Sequence, residues 1–104
     1  MRDLLEKEAS IVMKQLFEAT SYIHDVGFVH RNIKPENILI SLGEDKCIKE
    51  IKITNFVNAK LNFGDDLLFE TCGTPNFIAP EVLKGAGYSH KIDEWGLGVI
   101  MYFM

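Results

Sequence analysis

The stretch that most constrains this chain is His30-Arg31-Asn32-Ile33-Lys34-Pro35-Glu36-Asn37, where a cation, two amides and a lysine able to meet phosphate stand between two differently patterned flanks. Upstream, apolar residues recur at helical spacing. Downstream, they form short runs of strand type. Pro35 has no N–H to give and cannot continue a helix, so the polar residues must sit in a loop between a helix and a strand.

The upstream flank predicts a helix from Glu6 to Val26. Val12, Leu16, Ala19, Ile23 and Val26 follow one another at intervals of four and three and share one stripe. Gly27, which tolerates a left-handed backbone, ends it, and Phe28 and Val29 lead into the loop. Ile38 to Ile40 reads as a strand, and Ile51 to Thr54 as a second, with Ile51 and Ile53 on one face and Lys52 and Thr54 on the other. Ser41 to Lys46 holds Gly43 and two acids and predicts the hairpin loop joining them. From Asn55 to Thr74 no period is sustained, and Asp65, Asp66 and Glu70 interrupt the apolar residues, so a long surface loop is expected. Loops of that length are usually functional or disordered. Pro80, Glu81 and Gly85 suit the start, first turn and exit of a one-turn helix. Ser89 is placed to cap a last helix, with Asp93 and Glu94 in its first turn. From Trp95 on, that helix is apolar on every side and is expected to be buried on all faces.

Composition removes several functional classes. At 104 residues and 47% hydrophobic content the chain is that of one folded domain at most. A net charge of −4 with scattered basic residues argues against nucleic acid or anionic lipid as partner. The run from Trp95 to Met104 is half the roughly 20 residues a membrane span needs. Cys47 and Cys72 lack metal-ligand spacing and nothing resembles a secretory leader, so free thiols and an intracellular, cytoplasmic setting are expected.

Four collinear stretches together resemble protein kinases. His30 to Asn37 is similar to the catalytic loop, and Ile51-Lys52-Ile53-Thr54-Asn55-Phe56-Val57 to the strand entering the Asp-Phe-Gly element. Gly73-Thr74-Pro75-Asn76-Phe77-Ile78-Ala79-Pro80-Glu81 resembles the end of an activation segment, and Asp93-Glu94-Trp95-Gly96-Leu97-Gly98-Val99 the start of the central helix. Lys34 and the Cys72-Gly73-Thr74-Pro75 run resemble the serine/threonine branch, the calcium/calmodulin-dependent group above all. The resemblance implies an α+β partial kinase fold over residues 1–104: the first half of the helical C-lobe with a small β-hairpin. The Gly-rich phosphate loop, the strand lysine and its helix glutamate are expected upstream of Met1, and the later helices beyond Met104.

The resemblance also assigns roles, with departures. Asn32 stands where the family has its aspartate base; an amide has no titratable oxygen at neutral pH, a loss of roughly two to four orders of magnitude on general-base grounds. Asn55 replaces the metal-holding aspartate, and a neutral amide holds Mg²⁺ less well than a carboxylate. Val57 replaces a glycine and resists positive φ. Lys34 would neutralise a transferred phosphate and Asn37 would hold a second metal. Arg31 would pair with a phosphorylated residue, and Glu70 takes that residue's place as a built-in anion. Thr71 and Thr74 are alternative phosphosites, with the turn role favoured for Thr74. Asp93 would accept hydrogen bonds from the backbone near His30 and Arg31, His30 is expected as a packed anchor, and Glu81 awaits an arginine of a later helix. His24 and His90 suggest no metal constellation, and Gly85-Ala86-Gly87 and Gly96-Leu97-Gly98 are not nucleotide fingerprints.

ATP and Mg²⁺ are the implied cofactors, with weak or absent binding expected. Three functions compete at this stage: a pseudokinase portion working through protein partners, a piece of an active serine/threonine kinase, and a truncated product without function. The third follows from a chain that stops inside an apolar helix, which is expected to aggregate.

Overall fold

The computed structural model describes residues 6–62 and 67–104; Asp65 and Asp66 of the expected loop lie outside them. The described residues form a mixed α+β fold of three α-helices and two small antiparallel sheets, as expected for part of a kinase domain. Helix α1 spans Glu6–Asp25, followed by β1 (Phe28–Val29), a 3₁₀ turn at Pro35–Asn37, β2 (Ile38–Leu42) and β3 (Ile48–Ile53). Then come β4 (Lys60–Leu61), a second 3₁₀ turn at Pro75–Phe77, α2 (Pro80–Lys84) and α3 (Lys91–Tyr102).

The buried stripe of α1 is Val12, Met13, Leu16, Thr20 and Ile23. Val26 lies past the helix end and is exposed, and Ala19 is half-buried, so the stripe sits slightly rotated from the one expected. Gly27, at φ 92°, makes the exit. β2 and β3 pair as a hairpin, with Ile38 opposite Ile53 and Ile40 opposite Ile51. The pairing shifts between Ser41 and Leu42, which leaves Lys49 as an extra residue on β3. α1 closes the far side of β3: Gln15 Oε1 accepts from the Ile51 N–H at 2.8 Å.

Val12, Met13 and Leu16 pack with Ile33, Ile51, Leu97 and Ile100 into one core. A second core joins Val29, Leu68, Ala79, Val82, Tyr88 and Ile92. Ile33 of the polar loop belongs to the first and Val29, just before it, to the second, so the loop is pinned at its entry and at its middle by burial.

Two expectations are corrected. The stretch after Asn55 is not a plain surface loop: β4 pairs with β1, and Leu68, buried, forms an antiparallel bridge with Tyr88. Two-residue ladders carry no period that sequence could display. Nor is α3 buried all round, since Ile92, Asp93, Gly96, Leu97 and Ile100 face inward while Trp95, Met101 and Tyr102 are exposed. In the expected manner α2 starts at Pro80 and ends on Gly85 at φ 72°. Ser89 Oγ accepts from Lys91 N–H at 3.3 Å, one residue ahead of the N-cap, which is His90. No described helix is long and apolar enough to cross a membrane.

Candidate functional site

Asp93, in the first turn of α3 and 1% exposed, organises the loop. Its Oδ2 accepts from the His30 N–H and its Oδ1 from the Arg31 N–H, both at 2.9 Å. His24, near the end of α1, adds a third contact from Nε2 to Oδ2 at 2.8 Å. This grip bends the chain at Arg31 into the left-handed region, φ 73°, a conformation that costs a non-glycine residue about 1–3 kcal/mol.

His30 is fully buried and joins the loop to the end of β3. Nε2 can only donate to the Thr54 carbonyl, 2.9 Å away, which leaves Nδ1 to accept the Asn32 N–H at 3.1 Å. Its ring meets the Phe56 ring edge-on at 5.0 Å. Both nitrogens are thus engaged in structure.

Asn32, Lys34 and Thr74 meet at the mouth of the loop. Thr74 Oγ1 accepts from Lys34 Nζ at 2.7 Å and donates to Asn32 Oδ1 at 3.0 Å. Lys34 also lies 3.8 Å from Glu36. Behind them, Asn37 is 5% exposed; its Nδ2 donates to the Asn32 carbonyl at 2.7 Å and its Oδ1 accepts from Asn55 Nδ2 at 3.3 Å. Asn55 itself is left-handed, φ 64°, which asparagine tolerates better than most residues. The left-handed turn therefore falls at Asn55, and Val57 is not among the positive-φ residues.

The metal-bearing positions do not fit Mg²⁺ as they stand. A hard dication seeks charged oxygens, whereas Asn37 and Asn55 are neutral amides hydrogen-bonded to each other. Among the described residues no group of three or more His, Cys, Asp or Glu is placed to hold a metal. Lys34, the cation of this group, is engaged by Thr74 and Glu36.

Arg31 faces away from Asn32. Its Nε donates to the Asn58 carbonyl at 2.6 Å and its Nη1 to the Tyr88 hydroxyl at 3.2 Å, with Glu70 Oε1 at 3.7 Å from Nη1. The Tyr88 hydroxyl in turn donates a hydrogen bond to the Glu70 carbonyl. Glu70 meets Lys60 at 2.5 Å, closer than Arg31. Its carboxyl is held below the usual range first by the Lys60 hydrogen bond, then by the Lys60 and Arg31 charges. Burial pushes the Tyr88 hydroxyl up. A Cβ on Gly73, at φ 104°, would stand 2.9 Å from the Arg31 carbonyl, so only glycine lets the segment pass this close.

The structure thus gathers His30, Arg31, Asn32, Lys34, Asn37, Asn55, Glu70, Thr74 and Asp93 around one loop. Thr71 is exposed and Glu81 is half-buried in α2, and neither makes a hydrogen bond to this cluster among the described residues. Sequence reasoning did not single out Lys60 or Tyr88, nor His24 as a partner of Asp93. His24 had a signal: it follows buried Leu16 and Thr20 at steps of four along α1. Lys60 and Tyr88 had none, since they arrive through short pairings.

Comparison with known proteins points to the same family as the motifs. The family model described as protein kinase domain matches residues 2–104. A serine/threonine-protein kinase of Drosophila melanogaster is 42% identical over 100 residues, which are 95% of this chain and 13% of that protein. Its counterpart in Drosophila simulans has the same figures. A probable myosin light chain kinase of Dictyostelium discoideum is 38% identical over 109 residues, 99% of this chain and 34% of that protein. The chain therefore spans between about an eighth and a third of these relatives' lengths. With the family model covering nearly all of it, and a loop held by Asp93 in the arrangement that the resemblance implies, this chain belongs to the protein kinase family.

Proposed function

We propose that this chain is a pseudokinase-like part of a serine/threonine-type kinase, of the calcium/calmodulin-dependent kind, that acts through protein contacts in the cytoplasm. One observation carries the reading: the side-chain oxygen at the base position is the amide Oδ1 of Asn32, already accepting the Thr74 hydroxyl proton. An amide oxygen of this kind can orient a hydroxyl but cannot take its proton away. Phosphoryl transfer depends on positioning and charge stabilisation, and the Asn37–Asn55 pair offers no carboxylate to hold the Mg²⁺ that would supply that stabilisation. Nucleotide binding, where it occurs, is weak and indifferent to Mg²⁺.

A second reading is favoured by a separate observation. Lys34 and Asn37 keep their family identities, and the similar proteins carry kinase names, so the chain could belong to an active enzyme. Incubation with radiolabelled ATP, Mg²⁺ and a serine-containing peptide separates the two. No transfer is expected; labelling that disappears on Lys34→Ala or Asn37→Ala would overturn the proposal. Calorimetry should show little ATP binding with or without Mg²⁺, whereas Asn55→Asp should gain an Mg²⁺-dependent rise in melting temperature.

A further inference from the structure

Residues 68–74 run from the second core to the Asn32 cluster, and one side chain fastens them on the way. Tyr88 is 3% exposed and packs in the core that holds Leu68, Val82 and Ile92. Its backbone pairs with Leu68 in both directions: the Leu68 N–H donates to the Tyr88 carbonyl at 2.8 Å and the Tyr88 N–H to the Leu68 carbonyl at 2.9 Å. Its hydroxyl accepts from Arg31 Nη1 at 3.2 Å and donates to the Glu70 carbonyl. Tyr88 thus grips the segment at Leu68 and at Glu70 and joins it to the loop that carries Arg31. Gly87, at φ 100°, lets the segment pass this close, since a Cβ there would stand 2.9 Å from Leu67 Cδ1 and 3.0 Å from Phe69 Cε1.

The far end of the segment covers the Asn32 cluster. Thr74 Oγ1 takes the Lys34 ammonium and engages the Asn32 amide, and Gly73 runs against the Arg31 carbonyl. Charge gives the weaker link to Arg31. Glu70 is exposed, lies 3.7 Å from Arg31 Nη1 and sits closer to Lys60, and an exposed ion pair contributes little. The Arg31 side chain is only 7% exposed, and a hydrogen bond from a charged donor out of water is stronger than a neutral one. A hydroxyl accepts and donates at once. Tyr88 can therefore hold the cation and the segment backbone together, which the acceptor-only carboxylate of Glu70 cannot.

We propose that residues 68–74 form a strap over the Asn32 cluster and that the Tyr88 hydroxyl fastens it, so that the closed position does not need the charge of Glu70. Loss of the hydroxyl opens the strap as a local unit, leaves the packing of α1 in place and frees Lys34 from Thr74. The device is separate from the reading of Asn32 as a degenerate base and holds whether or not the chain transfers phosphate.

The test is hydrogen–deuterium exchange of the dilute chain, read by mass spectrometry. In Tyr88→Phe, which keeps the ring and loses the hydroxyl, residues 67–74 should exchange about tenfold faster, while residues 12–23 of α1 keep the wild-type rate. Glu70→Gln, and the wild-type chain in roughly 1 M salt, should accelerate residues 67–74 by less than about threefold. A pulse of acetic anhydride should label Lys34 faster in Tyr88→Phe than in the wild type, with the exposed Lys14 as internal standard. Wild-type exchange in Tyr88→Phe would overturn the proposal, and so would equal acceleration of residues 12–23, which would make the hydroxyl a general stabiliser. Opening by salt or by Glu70→Gln as large as that by Tyr88→Phe, or unchanged labelling of Lys34, would overturn it as well. The salt measurement needs no variant.

Discussion

Asp93 does at one residue what this loop most needs, because a single buried carboxylate satisfies two backbone N–H groups and an imidazole. Asp93→Ala orphans the His30 and Arg31 N–H groups and releases the strained turn at Arg31. A loss of about 3–5 kcal/mol is expected, read as a fall in the urea midpoint by fluorescence of Trp95, the single tryptophan of the chain. Glu70 is a contrasting case, an exposed residue. Because its carboxyl is held below the ordinary value of 4.5, its contribution is complete above that value and fades as pH falls through the lowered one. A double-mutant cycle should find stronger coupling for Lys60 with Glu70 than for Arg31 with Glu70. Both couplings should vanish in acid and shrink in roughly 1 M salt, where the Debye length is about 3 Å. The Arg31–Glu70 approach was legible only through what the resemblance to kinases implies, whereas Lys60 was not legible at all, since it reaches Glu70 only through the β1–β4 pairing.

At the scale of elements, legibility followed period and length. α1, the hairpin and the proline-started α2 carry signals that repeat or that a single residue type enforces, and they fall within a few residues of their expected limits. β1 and β4 are too short for any period, and the buried Leu68 lies between Leu67 and Phe69, apolar residues that are both exposed, so nothing in the sequence singles it out. Helix α3 shows a subtler limit: composition marked it as apolar, but packing chose which side to bury. The two glycines of α3 expose that choice. A Cβ on Gly96 would come within 2.8 Å of Ile33 Cβ and 2.9 Å of the Ile33 carbonyl, so helix and loop touch through the missing side chain. Gly98 has nothing within 4 Å. Gly96→Ala should therefore destabilise by about 1–3 kcal/mol through overpacking, while Gly98→Ala should stabilise by up to about 1 kcal/mol through helix propensity. Thermal melts of the two variants moving in the same direction would contradict this placement of α3.

The whole molecule is elongated, with extents of 46 × 26 × 20 Å and a radius of gyration of 14.2 Å against about 13 Å for a compact domain of this length. Its accessible surface, 6828 Å², also exceeds the roughly 5,900 Å² expected from its mass. Several large apolar side chains contribute to that surface. Trp95, at 46% exposure, and Tyr102, at 83%, border an open cavity of about 360 Å³ on the outer side of α3, with Met101 and Phe103 exposed beside it. Tyr22, Val26, Phe28 and Phe56 line a second apolar cavity of about 350 Å³ beside β1. Contiguous apolar surface of this kind drives association in water, and a net charge of only −4 offers limited repulsion against it. The 104-residue chain should self-associate as its concentration rises, with the Trp95 emission shifting to the blue as the α3 face is covered. Tyr102→Lys/Phe103→Lys places charge on that face without touching the Asp93 network, and should return the chain to monomer in sedimentation. A wild-type chain that sediments as a monomer across the concentration range, with unshifted Trp95 emission, would mean that this surface tolerates water despite its composition.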